Sequence, residues 1–113
     1  MEMKQTDVAA DVLGISLHGR LDTPGVDDVE TAFTDTATRA GRHVLVDLSD
    51  VEFVGSMGLR MFISVAKALS KKKSKLVLYG ARPLVKDVFD TVSLGDIVPV
   101  ADDADAARRA ARG

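Results

Sequence analysis

The sequence predicts an α/β domain: a mixed, mostly parallel β-sheet with helices packed against it. Three observations lead there. Strand-length apolar runs alternate with segments whose apolar residues recur every three or four positions, the order of a parallel sheet with crossover helices. Two of those runs, His43–Leu48 and Leu76–Tyr79, are apolar almost throughout, as in strands covered on both faces. The connections are short, which leaves no room for a second unit within residues 1–113.

Each element has its own signal. Met3–Val8 reads as an edge strand, joined by a turn near Ala10-Asp11 to Val12–His18. In that second strand Leu13, Ile15 and Leu17 share one face, opposite Val12, Gly14, Ser16 and His18. Thr23 is placed to cap the first helix, with Pro24 at its first position, where no amide proton is needed. Asp27, Asp28 and Glu30 suit its early turns, and Val26, Val29, Phe33, Ala37 and Ala40 form its apolar face up to a stop at Gly41. After the His43–Leu48 strand comes a short stretch, Val51–Val54, and then a helix beginning near Ser56 with Leu59, Phe62, Ile63, Ala66 and Leu69 inward. Lysines 71, 72, 73 and 75 end it, and the negative end of the helix dipole explains them without a bound anion. Pro83 opens a third helix, with Leu84, Val85, Val88, Phe89 and Val92 expected inward. Ile97–Val100 reads as an edge strand because of Pro99. Asp102–Arg112 reads as a closing helix, acidic at its start and basic at its end.

Composition narrows the functional classes. There is no cysteine, so disulfides, thiolate chemistry and cysteine-ligated zinc are excluded. The net charge of −2, with both signs interspersed, gives no footprint for nucleic acid. One Tyr, four Phe and no Trp make an aromatic platform for bases equally unexpected. No apolar run reaches the length of a membrane span, and Met1–Gln5 has no apolar leader core, so a cytoplasmic protein without membrane insertion is expected. His18 and His43 lie in strand contexts outside any metal-ligand spacing and without an obvious Ser or Cys partner. The phosphate-binding, dinucleotide-binding and nucleophile-elbow patterns are all absent. No catalytic residue, metal site or cofactor is therefore assigned.

The informative segment is Val54-Gly55-Ser56-Met57-Gly58-Leu59, at the C-terminal end of a strand, where parallel sheets display functional loops. Residue chemistry leaves two readings of Ser56 open. It can be an N-cap, contributing about 1 kcal/mol to its helix. It can also be a serine presented for phosphorylation, since a helix N-terminus tolerates an added phosphate.

The stretch Asp47-Leu48-Ser49-Asp50-Val51-Glu52-Phe53-Val54-Gly55-Ser56-Met57-Gly58-Leu59 resembles the signature of STAS domains, and more closely that of bacterial anti-sigma factor antagonists. Gly19-Arg20-Leu21-Asp22, Pro83–Phe89 and Leu94–Ile97 extend the resemblance over nearly the whole chain. It implies a single STAS-like domain and a non-enzymatic partner-switching protein. Such a protein binds an anti-sigma factor that is also a serine kinase of the histidine-kinase-like ATPase type. Phosphorylation of the motif serine, here Ser56, ends the complex, and a serine phosphatase resets it. The partner-binding surface implied comprises Asp22, Gly55, Ser56, Met57, Gly58 and Arg60. Gly55 stands where the family usually has Asp, and Met57 where it usually has Ser or Thr, which removes a charge and a hydroxyl beside Ser56. The alternative is a constitutively docking STAS subunit, for example of a lipid-transport ATPase complex, with Ser56 a structural cap.

Overall fold

A computed structural model describes residues 1–113. Its elements are β1 (Glu2–Ala9), β2 (Val12–Leu21), α1 (Thr23–Arg39), β3 (His43–Val54), α2 (Ser56–Lys71), β4 (Leu76–Tyr79), α3 (Pro83–Thr91), a 3₁₀ turn (Leu94–Asp96), β5 (Val100–Ala101) and α4 (Ala104–Arg112). The strands lie in the order β1-β2-β3-β4-β5. β1 runs antiparallel to β2 and the other neighbours are parallel, so the sheet is mixed and mostly parallel, as the sequence predicts.

Alternation along the strands sorts the two faces. Leu13, Ile15 and Leu17 of β2, Val44, Val46 and Leu48 of β3, and Leu76 and Leu78 of β4 join the buried faces of α1, α2 and α3 in one apolar core. Phe33 of α1 meets Phe62 of α2 edge to face, with ring centroids 5.9 Å apart. On the opposite face Val12, Leu45 and Val77 are covered by Ala107 and Ala111 of α4. Three helices thus pack on one face and one on the other. No helix is long and apolar enough to cross a membrane.

Several boundaries differ from the sequence reading for identifiable reasons. β3 is one strand through Val54, not a strand and a separate stretch. Its pairing with β2 slips by one residue between Asp47 and Asp50 and again between Val51 and Phe53. Extra residues of this kind are bulges, and they break the alternation from which strands are recognised. β2 likewise continues to Leu21. α1 is capped by Asp22, not Thr23: the Asp22 carboxylate accepts from the Gly25 amide at 2.9 Å, and Thr23 is already helical. α2 buries Gly58, Met61, Phe62, Val65 and Leu69, while Leu59, Ile63 and Ala66 are only partly covered. Its inward face is thus turned from the stripe read in the sequence, because α1 and the sheet both pack against it. In α3 only Val85 and Phe89 are fully buried. Leu84 is 75% exposed and Val92 51% exposed, because this nine-residue helix meets the core along a single i, i+4 ridge. The final strand is Val100–Ala101. Residues Leu94–Val98 close a tight turn through bonds from the Ile97 and Val98 amides to the Leu94 carbonyl, and Pro99 contributes only its carbonyl, to the Leu78 amide.

The lysine run has structural duties beyond its own helix. Lys72 Nζ donates to the Thr38 carbonyl near the end of α1 (2.6 Å), and Lys75 Nζ donates to the carbonyls of Ala110 and Gly113 at the end of α4. Two helix C-termini, those of α1 and α4, are thus served by ammonium groups from the lysine run that ends α2, as the dipole favours.

Candidate functional site

The site forms where β2 and β3 end side by side. The Gly55 amide donates to the Leu21 carbonyl at 2.9 Å, which ties the loop before α2 to the loop before α1. Two glycines allow this approach. A Cβ on Gly25 would sit 1.8 Å from the Arg20 carbonyl oxygen, so the first turn of α1 can lie on the end of β2 only without a side chain there. A Cβ on Gly58 would come within 3.1 Å of both Leu21 and Val54. Gly58 is consequently buried, and its part in the site is close packing under α2, not surface contact.

Gly55, in extended conformation, is the N-cap of α2, and no side chain caps the helix. Ser56 is the first helical residue and is exposed, with no hydrogen bond capping its own helix. The reading of Ser56 as a structural N-cap is thereby corrected: one residue too far into the helix, it cannot fold its hydroxyl back onto the first amides in the way Asp22 does for α1. The first amides of α2 have no intrahelical acceptor and no side-chain one. No acidic residue lies in that turn. The arrangement presents a hydroxyl beside free amide donors.

Around Ser56 the surface is apolar and cationic. Phe53 and Met57 are each 38% exposed. The Arg20 guanidinium stacks on the Phe53 ring, 4.7 Å from its centroid, and its Nε lies 3.5 Å from Asp22. The same ring lies close to Gly55, where an added Cβ would be 3.2 Å from Phe53. Arg60, one turn after Ser56, is exposed and makes no ion pair. It lines a cleft between α1 and α2 with Glu30 and Asp35. The fold thus gathers Asp22, Gly55, Ser56, Met57 and Arg60 at one end of the sheet.

One polar constellation escaped the sequence reading. His18 has partners after all: Nε2 lies 3.0 Å from Ser16 Oγ and Nδ1 2.9 Å from Asp50. Ser16 and His18 are two apart on one strand, hence on one face, and that spacing was the available signal. Asp50 arrives only through the β3 bulge. The order serine–histidine–carboxylate is that of a hydrolase triad, but Ser16 lies inside β2, flanked by Lys4 of β1 and Asp47 of β3. No turn or helix start there offers free amides to a developing oxyanion. Arg82 adds a bond from Nε to the Ser49 carbonyl at 2.9 Å. The network braces the bulged region that leads to Phe53 and Ser56. His43 accepts the Lys75 amide through Nδ1 at the opposite end of the sheet.

Residues 3–107 match the family model of the STAS domain. The chain belongs to the STAS domain family. Among curated proteins, this STAS chain is 31% identical to BtrV of Bordetella bronchiseptica, assigned as an anti-sigma factor antagonist, over 83% of this chain and 81% of that one. It is 28% identical to the anti-sigma-B factor antagonist of Listeria monocytogenes, over 88% and 86%. Among solved structures, the anti-sigma factor antagonist SpoIIAA in its unphosphorylated form superposes with a TM-score of 0.72 at 17% identity, covering 99% of each chain. SpoIIAA has also been solved phosphorylated.

Proposed function

We propose that this STAS chain is an anti-sigma factor antagonist acting in the cytoplasm. It binds an anti-sigma factor that is also a serine kinase of the histidine-kinase-like ATPase type, and so releases a sigma factor. Phosphorylation of Ser56 ends the complex, and a serine phosphatase restores it. The observation that carries this reading is the exposed Ser56, free of capping duty at an uncapped helix start. Phosphate there adds about −1.5 to −2 charges without breaking any bond of the fold. The docking surface is Asp22, Gly55, Ser56, Met57 and Arg60, with Phe53 and Arg20 beside them.

Incubation with the cognate anti-sigma kinase and ATP, followed by mass-spectrometric mapping, is expected to place phosphate on Ser56 and to dissociate the pair. Absence of phosphate at Ser56, with a Ser56→Ala chain that stays indistinguishable from wild type in the presence of ATP, would overturn the switch. The alternative, a constitutively docking STAS subunit such as that of a lipid-transport ATPase complex, is separated by co-purification: a transporter ATPase in place of a kinase-like anti-sigma factor would favour it.

A further inference from the structure

We propose that Arg60 is the internal counter-cation of phosphorylated Ser56, drawn from the α1–α2 cleft when the phosphate arrives. The inference rests on the reading of Ser56 as phospho-acceptor and adds how the modified site is arranged.

Ser56 and Arg60 are four apart on α2, so their side chains are neighbours on the helix surface, roughly 5–6 Å between Cβ atoms. An acidic group N-terminal to a basic one at this spacing is the favourable orientation. Arg60 is uncommitted, pairing with no carboxylate of the chain even though Glu30 and Asp35 line the same cleft. The other guanidinium of the site, Arg20, is already engaged with the Phe53 ring and Asp22. No acidic residue in the first turn of α2 competes for Arg60. A planar guanidinium matches two phosphate oxygens at once, and the exchange gives up no ion pair.

The consequence is a double change from one modification. A dianion appears on Ser56, and a free guanidinium disappears from the surface between α1 and α2. Glu30 and Asp35 lose their nearby cation, so the cleft turns acidic together with the loop. A partner that docks on Arg60 loses its contact as well as meeting new negative charge.

The test installs phosphoserine at position 56 during translation, without any kinase, and follows its ³¹P chemical shift against pH. Arg60 is expected to hold the phosphate's second pKa down. In the Arg60→Gln chain that pKa, ordinarily near 6, should rise by roughly 0.2–0.4 unit. Arg60→Lys should stay nearer to wild type than Arg60→Gln does, and about 1 M NaCl should shrink the difference between wild type and Arg60→Gln. Coincident titration curves for wild type and Arg60→Gln, or Arg60→Lys matching Arg60→Gln, would overturn the assignment. Because the phosphate is built in, a kinase that ignores Ser56 would defeat the proposed function and leave this measurement untouched.

Discussion

Asp22 and Ser56 both stand at the start of a helix that follows a strand of the same sheet, yet only Asp22 closes back on its helix. The difference is one position: Asp22 precedes α1, whereas Ser56 is already inside α2 behind Gly55. Their alanine variants should therefore separate. Asp22→Ala is expected to cost about 1 kcal/mol in urea unfolding, the usual loss for an N-cap. Ser56→Ala should stay within about 0.5 kcal/mol of wild type, as surface substitutions do. A loss of about 1 kcal/mol from Ser56→Ala would mean that the hydroxyl caps α2 in solution. Ser56→Asp and Ser56→Glu should weaken partner binding while the melting temperature holds or rises slightly. An acidic side chain in the first turn of an uncapped helix contributes about 0.3–1 kcal/mol. Calorimetry on the free chain and titration with the anti-sigma partner check the two halves separately.

At the scale of elements, α3 tests how far apolar periodicity can be trusted. Five apolar residues read as inward, but a nine-residue helix on an edge of the core buries only Val85 and Phe89 fully. Phe89→Ala should cost about 3–5 kcal/mol, the range for a large buried side chain. Leu84→Ser should lie within about 0.5 kcal/mol of wild type, because Leu84 is solvent-exposed. Urea unfolding of both variants decides, and equal losses would show that α3 is docked by a wider face. The same contrast explains what the sequence disclosed. Val44–Leu48 and Leu76–Leu78 are apolar on both faces and were legible as central strands, since core and α4 sandwich them. β3 beyond Asp47 was not, because two bulges scramble its alternation, and the His18–Asp50 contact depends on the first of them. Ser56 itself was legible by its place in a motif. That Gly55 rather than Ser56 occupies the cap position, and that Gly58 is packed beneath the helix, depend on how closely α2 approaches Leu21 and Val54. Local sequence does not encode that distance.

For the whole molecule the two faces of the sheet are unequal. Three helices close one face around a core of 23 buried residues, whereas α4 covers the other with two alanines. That apolar contact is small, and much of the anchoring of α4 is polar. Lys75 binds the carbonyls of Ala110 and Gly113, and Arg112 forms a two-bond pair with Asp11 in the turn between β1 and β2. The Arg112 hydrogen bonds hold the Asp11 carboxyl below its ordinary pKa of 3.8, against a smaller opposing effect of desolvation. A carboxylate whose pKa is depressed by folding stabilises the native state above its unfolded pKa, and that contribution is lost as pH falls through the folded value. The clamp should therefore act fully at neutral pH and fade below about 3.8. Amide exchange of residues 107–112, followed by NMR, should be slower in wild type than in Arg112→Ala at pH 6. The gap should narrow as the solution is taken to pH 3, with the Ser56 end of the sheet unaffected at both values. Exchange rates that already coincide at pH 6 would show that Lys75 and the two alanines hold α4 without the clamp.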